Sequence, residues 1–253
     1  MVSLAPSATE IVYALECGDR LVARTAFCDY PQRAQMLPSV GGWTTANVDA
    51  VVAFQPDLVL TSTFLQDRIA AALRTRSVTI CHMDPRTLPE VLESFTTVAS
   101  ILGVPERGKE LCVRVASTLA SHRPPSDSSH PRVYAEEWPD PPMTSGNWVP
   151  GLIALAGGQS FLPSGERSRT VSLEEVQAFD PDMILLNYCG MGKIPAASQM
   201  SRLLSRSGWD TLRALRTRRV FVLPDSLLNR PGPRLVEGIR ELARVLTAVR
   251  AAL

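Results

Sequence analysis

Lysine is almost absent from this chain of 253 residues, since Lys109 and Lys193 are the only two and arginine supplies the remaining cations. The formal net charge is only +1, so no strong electrostatic field points to nucleic acid or to an acidic membrane as a partner. No apolar run approaches the length of a membrane-spanning helix. The first residues lack the basic and apolar segments of a secretory leader. We therefore expect a cytoplasmic protein or, if a leader is missing from this chain, a protein of the periplasm or cell envelope.

Residues that bind metals or form disulfides are also scarce. The five cysteines contain no C-x-x-C pair, and the three histidines are far apart in sequence, so we expect free thiols and no metal site. The sequence has no Walker loop, no G-x-G-x-x-G fingerprint and no G-x-S-x-G elbow. We therefore predict no catalytic residue, and an enzyme is the least favoured class of function.

What the sequence does contain is a segment that occurs twice, at residues 47–60 and at residues 172–185. Val51 recurs as Val176, an offset of 176 − 51 = 125 residues, and five further positions recur at the same offset. Each copy predicts a short helix capped by Asn47 or Ser172, a Pro-Asp turn and a buried strand. The sequence L-R-T-R before an apolar run also occurs twice, at residues 73–76 and 215–218. Two repeats in the same order predict two related lobes.

Strands that alternate with helices along the chain predict α/β lobes with mainly parallel sheets. A long helix is predicted from Glu106 to Ser121, and the Pro- and Ser-rich residues 122–131 follow it as a linker. We therefore divide the chain into an N-terminal lobe at residues 1–104, a linking helix at 105–124 and a C-terminal lobe at 125–253. At finer scale, residues 7–10 predict a capping box. Residues 132–135 predict a strand that gives way to a loop over residues 136–146.

The loops that follow predicted strands carry aromatic and polar side chains that could contact a ligand. In open α/β sheets ligands bind beyond the carboxyl ends of the strands, and large flat side chains with few polar anchors suit a bulky, partly apolar ligand. Ordinary core or loop packing is the alternative explanation for each of them. The candidate ligand-binding residues are Phe27, Tyr30, Trp43, Trp138, Met143, Asp225 and Arg230.

Four motifs give the chain a resemblance to a known family. V-S-L-A-P-S-A-T-E, C-D-Y-P, A-F-Q-P-D-L-V-L and P-P-M-T-S-G occur in that order. They resemble the motifs of the helical-backbone metal-receptor family, which comprises class III periplasmic binding proteins that serve ABC importers, and most closely its cobalamin-binding members. The resemblance implies two α/β lobes joined by one long backbone helix, with the ligand in a cleft between them.

The resemblance also implies roles for individual residues. Phe27 matches an aromatic residue that packs on the corrinoid, and Trp43 matches a tryptophan of the cleft. Asp225 and Arg230 fall in a loop that contacts cobalamin, whereas Met143 replaces an aromatic residue. A second cleft tryptophan of the family is absent near residue 168.

Two acids of the repeat, Asp49 and Glu174, match the lobe-surface acids that pair with transporter arginines. An acid in the first turn of a helix is also explained by the helix dipole alone. The implied partners are thus a small corrinoid or metal chelate and an ABC permease in the membrane, with no nucleic acid, and we expect a monomer.

These observations favour a substrate-binding component of an ABC importer that carries cobalamin or a related corrinoid as its transported ligand and has no catalytic cofactor. Two alternatives stay open. One is a ferric siderophore or haem carrier of the same family, and the other is a cytoplasmic corrinoid-handling protein without a transporter.

Overall fold

A computed structural model describes residues 1–125, 129–192 and 194–253. The chain divides into two compact units: Met1–Pro85 with Pro89–Val115 forms the first, and Arg86–Leu88 with Ala116–Leu253 forms the second. The division falls inside a long helix, Pro105–Ala120, which closely matches the helix predicted from the sequence. The predicted linker falls partly on residues 126–128, outside the described residues.

The first unit is built on four parallel strands in the order β2-β1-β3-β4. Its strands are β1 (Val2–Ser3), β2 (Ala23–Arg24), β3 (Val59–Ser62) and β4 (Ile80–Met83). The α-helices in this part of the chain are α1 (Pro6–Ala14), α2 (Val48–Ala53), α3 (Asp67–Arg74), α4 (Leu88–Ile101) and α5 (Pro105–Ala120). The core of this unit packs apolar residues of the central strands against α2 and α3, among them Val2, Val51, Val59 and Leu73.

The second unit contains a six-stranded mixed sheet. Its strands are β5 (Arg132–Pro139), β6 (Pro142–Thr144), β7 (Gln159–Ser160), β8 (Arg169–Thr170), β9 (Met183–Leu186) and β10 (Val220–Val222). Its helices are α6 (Val149–Leu155), α7 (Leu173–Phe179), α8 (Ala196–Leu204), α9 (Arg213–Arg216), α10 (Asp225–Leu228) and α11 (Leu235–Arg250). A core cluster formed around Tyr134, Ile184 and Trp209 lies against this sheet.

The two units share one arrangement of parallel strands. In the second unit β7 and β9 pair with β5, and β10 pairs with β9, so β7-β5-β9-β10 repeats the order β2-β1-β3-β4. Both copies of the repeated segment contain a short helix, a turn and a fully buried strand. Gln55 and Asp180, which precede the repeated prolines, both adopt a left-handed conformation with φ of 46°. The predicted α/β class with two related units and mainly parallel sheets is therefore confirmed.

Two local predictions were wrong. Helix α1 begins at Pro6 and its Ser7 lies inside the helix, without a side-chain cap, because proline fits the first helical position. Strand β5 continues to Pro139 rather than ending at Ala135, because its end forms an antiparallel hairpin with β6. Residues 136–139 and 142–144 are therefore strand rather than loop.

The five cysteines are free thiols, as predicted. Within the described part of the chain, no helix has both the length and the apolar character that crossing a membrane requires.

Candidate functional site

In the first unit, two predicted aromatic residues lie on loops that are joined by a hydrogen bond. Phe27 follows β2 and is 44% exposed. The Ala26 N–H donates to the Gly41 carbonyl at 2.8 Å, which ties the Phe27 loop to the Gly41–Gly42–Trp43 turn. Gly41 has a φ of +119°, a conformation that side chains disfavour. The structure thus brings the backbone segments of Phe27 and Trp43 together beyond the end of β2.

Gln66 fixes the backbone at Trp43 and was missed by sequence reasoning. Its side chain is fully buried, and its Nε2 donates to the carbonyls of Leu4 at 2.9 Å and Trp43 at 2.7 Å. Its Oε1 accepts from the Ser62 N–H at 2.7 Å. One amide therefore connects the ends of β1 and β3 to the tryptophan turn. No motif signals such a contact, because its partners lie up to 62 residues away in sequence.

The indole of Trp43 is half-buried, and its Nε1 is a buried donor without a hydrogen-bond partner among the described residues. Such a donor is costly to leave unsatisfied. Tyr30 lies in the same loop as Phe27 and is 43% exposed. The Asp29 N–H donates to the Phe27 carbonyl at 3.0 Å, so Tyr30 extends from a locally ordered turn.

In the second unit, Trp138 and Met143 are cross-strand partners on β5 and β6. Trp138 is 40% exposed, and its Nε1 donates to the Asp140 carbonyl at 3.0 Å. Met143 is half-buried. The hairpin therefore places two large apolar side chains side by side at the end of β5.

Asp225 lies at the start of α10, and its Oδ2 accepts from the Gly190 N–H at 2.9 Å. It therefore joins the turn after β9 to the segment after β10. Asp225 also lines a pocket of about 160 Å³ together with Tyr188 and Val222. Arg230 follows α10 and is half-buried.

A polar cluster at the carboxyl ends of β5 and β9 was not predicted. The Asn187 Nδ2 donates to the Ser145 Oγ at 3.0 Å and to the Asn229 Oδ1 at 2.6 Å. Asn229 in turn donates to the Cys189 Sγ at 3.0 Å. Burial raises the pKa of the Cys189 thiol, and the nearby carboxylates of Glu137 and Asp225 add to the effect. We call these residues with Ser168 the polar cluster: Glu137, Ser145, Ser168, Asn187, Cys189 and Asn229.

Two adjacent glutamates at the end of β5 have different environments. Glu136 is fully buried and forms a bidentate pair with Arg206, with both nitrogen–oxygen distances at 2.7 Å. The hydroxyls of Tyr134 and Tyr188 also donate to it, so its charge is compensated inside the core. Glu137 instead belongs to the polar cluster, where burial raises its pKa to about 7, against hydrogen bonds from Ser168 and Ser145 that lower it.

The two repeated acids occupy the same position in their helices. Asn47 caps α2 and Ser172 caps α7, so Asp49 and Glu174 are both the second helical residue. Asp49 is exposed and pairs with Arg76 at 2.8 Å. Glu174 is exposed, and hydrogen bonds from its own backbone N–H and from Ser172 lower its pKa. Both carboxylates are open to solvent in their own units.

Among the described residues, no group of three or more His, Cys, Asp or Glu side chains is placed to hold a metal ion. The sites of both units are instead built from aromatic, amide, hydroxyl and carboxyl groups. Such groups can bind a molecule by shape and hydrogen bonding.

A profile of the periplasmic binding protein family matches residues 1–227. The chain belongs to this family. It is 28% identical over 252 residues to a vitamin B12-binding protein of Vibrio cholerae, covering 97% of this chain and 88% of that protein. An uncharacterized ABC transporter substrate-binding lipoprotein of Bacillus subtilis is 27% identical over 251 residues, covering 96% and 78% of the two chains.

Among solved structures, the periplasmic heme-binding protein RhuT from Roseiflexus sp. RS-1, in its apo form, superposes with a TM-score of 0.83 at 25% identity and covers 98% of each chain. The chain is thus a substrate-binding protein of the ABC-transporter kind. Its relatives are binding proteins rather than enzymes. The family predicted from the four sequence motifs is confirmed.

Proposed function

We propose that this protein binds cobalamin or a related corrinoid and delivers it to an ABC importer. The observation that carries the proposal is the set of exposed aromatic faces at the strand ends, with Phe27 in the first unit and Trp138 in the second. A corrin ring is large, flat and partly apolar, and aromatic side chains gain contact area against such a surface at low entropic cost. The likeness to the vitamin B12-binding protein of Vibrio cholerae supports this choice of ligand.

The proposed binding residues are those that the sequence nominated. The ligand would occupy a cleft to which the lobes at residues 1–104 and 125–253 both contribute, with residues 105–124 as the linking helix. Phe27, Tyr30 and Trp43 would supply aromatic contacts from the first lobe. The second lobe would contribute Trp138, Met143, Asp225 and Arg230.

The proposed partner is a membrane permease, which the protein would meet at the cell envelope. Asp49 and Glu174 would pair with arginines of that permease, because exposed carboxylates at equivalent places can form charge-assisted contacts. Each is open to solvent in its own unit. A corrinoid-handling protein of the cytoplasm, without a permease, is the competing proposal.

Haem is the second candidate ligand, because the heme-binding protein RhuT shares this fold. A ferric siderophore is a third. Titration of the protein with cyanocobalamin, haem and a ferric hydroxamate siderophore, followed by tryptophan fluorescence and calorimetry, separates the three. We expect saturable quenching with cyanocobalamin at the lowest concentration. Tighter binding of haem or of the siderophore would overturn the corrinoid assignment while leaving a substrate-binding protein.

A further inference from the structure

Glu137 lies at an irregularity in the pairing of β5 with β6. On one side of it Glu136 pairs with Thr144, and on the other Trp138 pairs with Met143, so the register shifts at Glu137. Such β-bulges often lie beside binding sites, where they redirect a side chain. This one lies at the carboxyl end of the central strand of the second unit, which is the edge where open α/β sheets bind ligands.

The side chains that stabilise the ionised Glu137 carboxyl are uncharged hydroxyls rather than a cation. The hydroxyls of Ser168 and Ser145 favour its ionised form and lower its pKa. The Ser168 Oγ also accepts from the Gly146 N–H, and the Ser145 Oγ is hydrogen-bonded to the Asn187 side chain. A carboxylate has about four acceptor positions, so two hydroxyls leave acceptor capacity. Glu137 is half-buried, unlike the fully buried Glu136.

Its neighbour Glu136 shows what a purely structural glutamate looks like in this fold. Glu136 is fully buried, and a guanidinium and two phenol hydroxyls satisfy it. The side chains that favour the ionised form of Glu137 are instead two neutral hydroxyls. Glu136 therefore serves the stability of the fold, whereas the environment of Glu137 is the kind in which a carboxyl group binds a ligand.

The ionisable and charged groups around Glu137 come from several elements. Cys189 interacts with Glu137 from the segment after β9, and Asp225 interacts with Cys189 from the segment after β10. Arg167 and Arg169 flank Ser168 in sequence, and Arg169 pairs with Glu175 at 2.8 Å. Arg230 follows Asn229 of the polar cluster. Burial raises the pKa of Glu137 to about 7, so its charge changes near neutral pH.

We propose that Glu137 is a further ligand-binding residue, whose carboxylate accepts a hydrogen bond from a carboxamide N–H at the periphery of the ligand. This inference rests on the proposed function, because a corrinoid carries carboxamide side chains around its ring. Ser168 and Asn229, which are half-buried members of the same polar cluster, provide neutral donors and acceptors, which suit an amide. The propionates of haem are anionic, and a carboxylate beside them would repel them.

The test compares Glu137→Gln and Glu137→Ala with the unsubstituted protein, with Glu241→Gln on α11 as a matched control. Cyanocobalamin and haem are titrated by calorimetry between pH 5.5 and 8.5, in two buffers of different ionisation enthalpy. Cyanocobalamin should bind the unsubstituted protein more tightly as pH rises through about 7, and each binding event should release about half a proton at pH 7. Glu137→Ala should weaken binding about ten- to hundredfold at pH 8, the value of a hydrogen bond to a charged group. Glu137→Gln should weaken it less, with a flat pH profile and no proton release.

The possible failures are distinguishable. If the unsubstituted protein binds haem but not cyanocobalamin, both the corrinoid assignment and this role of Glu137 are wrong. If cyanocobalamin binds and Glu137→Gln keeps the pH profile and proton release of the unsubstituted protein, only the role of Glu137 is overturned. A variant that fails to fold would show an altered circular dichroism spectrum, and the proton release of the unsubstituted protein then decides the question alone.

Discussion

The buried Glu136 forms an ion pair with Arg206 in the second unit. Arg206 also lies over the Trp209 ring, 4.7 Å from its centroid. The pair is therefore built into the core between β5 and the residues after α8. Such a pair is costly to break from one side, because the remaining charge is left buried without compensation.

We therefore predict that Arg206→Met lowers the free energy of unfolding by about 3–5 kcal/mol. Chemical denaturation followed by circular dichroism measures the change. Arg216→Met is the matched control, since Arg216 is exposed and its guanidinium donates to the Asp210 carbonyl rather than to a buried carboxylate. Equal losses in both variants would mean that the long side chain, rather than the buried charge, is what matters.

Glu137 makes stability depend on pH in a direction opposite to most carboxylates. Its pKa is raised from 4.5 to about 7 in the folded protein, so the folded state retains a proton that the unfolded state has released. Its contribution to stability is present below about pH 4.5 and is lost as pH rises to about 7, by at most about 1.4 kcal/mol per pH unit. Relative to the unsubstituted protein, Glu137→Gln should therefore become more stable as the pH rises from 5 to 7.5. If the difference in unfolding free energy between Glu137→Gln and the unsubstituted protein is the same at pH 5 and at pH 7.5, the raised pKa is contradicted.

Trp43 offers a ligand an aromatic face, whereas its indole N–H is buried without a partner among the described residues. Trp43→Ala should weaken cyanocobalamin binding by about 1–3 kcal/mol, because a buried aromatic contact is lost. Trp43→Phe tests the aromatic face alone, since it keeps an aromatic ring and removes the buried N–H. Phe54→Ala is the control, because Phe54 is an exposed aromatic residue that follows α2 and precedes β3, at the amino end of that strand. Unchanged affinity in folded Trp43→Ala would remove this residue from the site.

At the scale of elements, the repeated helices depend on their caps. Helix α2 has six residues and α7 has seven, and helices this short have little stability of their own. Asn47→Ala and Ser172→Ala should each cost about 1 kcal/mol, the usual value of a lost cap. Hydrogen exchange of the α2 and α7 amides measures the loss separately in each unit. Faster exchange in both helices regardless of which cap is removed would mean that the effect is not local.

The repeated segments were predictable because their signals are local. A cap, an acid in the first turn, a proline and an apolar run lie within fourteen residues of each other, and each feature favours the same structure. The extension of β5 was not predictable, because Glu136 looks like a loop residue until Arg206 is brought to it from 70 residues away. The same holds for Gln66, whose three hydrogen-bond partners come from three separate segments.

The candidate site was predictable in part for the same reason. Phe27 could be nominated because it lies in a loop after a predicted strand. Trp138 was nominated on the same ground, although the structure places it on β5. Glu137 does not stand out, since its environment is created by a bulge and by serines from two other segments. Residues that act through their surroundings leave no pattern in the sequence.

At the scale of the whole molecule, the repeat has a consequence for the proposed permease partner. Asp49 and Glu174 hold the same position in two copies of one segment, and both are exposed. The helix dipole explains an acid at that position in each case. Docking would explain in addition why both are exposed and hold equivalent places in their units.

The double variant Asp49→Ala with Glu174→Ala separates these explanations. If the acids dock, it should bind cyanocobalamin normally and bind the cognate permease in nanodiscs at least tenfold more weakly, because two charge-assisted contacts are lost. Glu93→Ala with Asp210→Ala is the matched control, since it also removes one exposed carboxylate from each unit. If net charge alone governs docking, the two double variants will lose the same amount of affinity for the permease. If the acids serve only their helices, the first double variant will dock with the affinity of the unsubstituted protein and lose only a little stability.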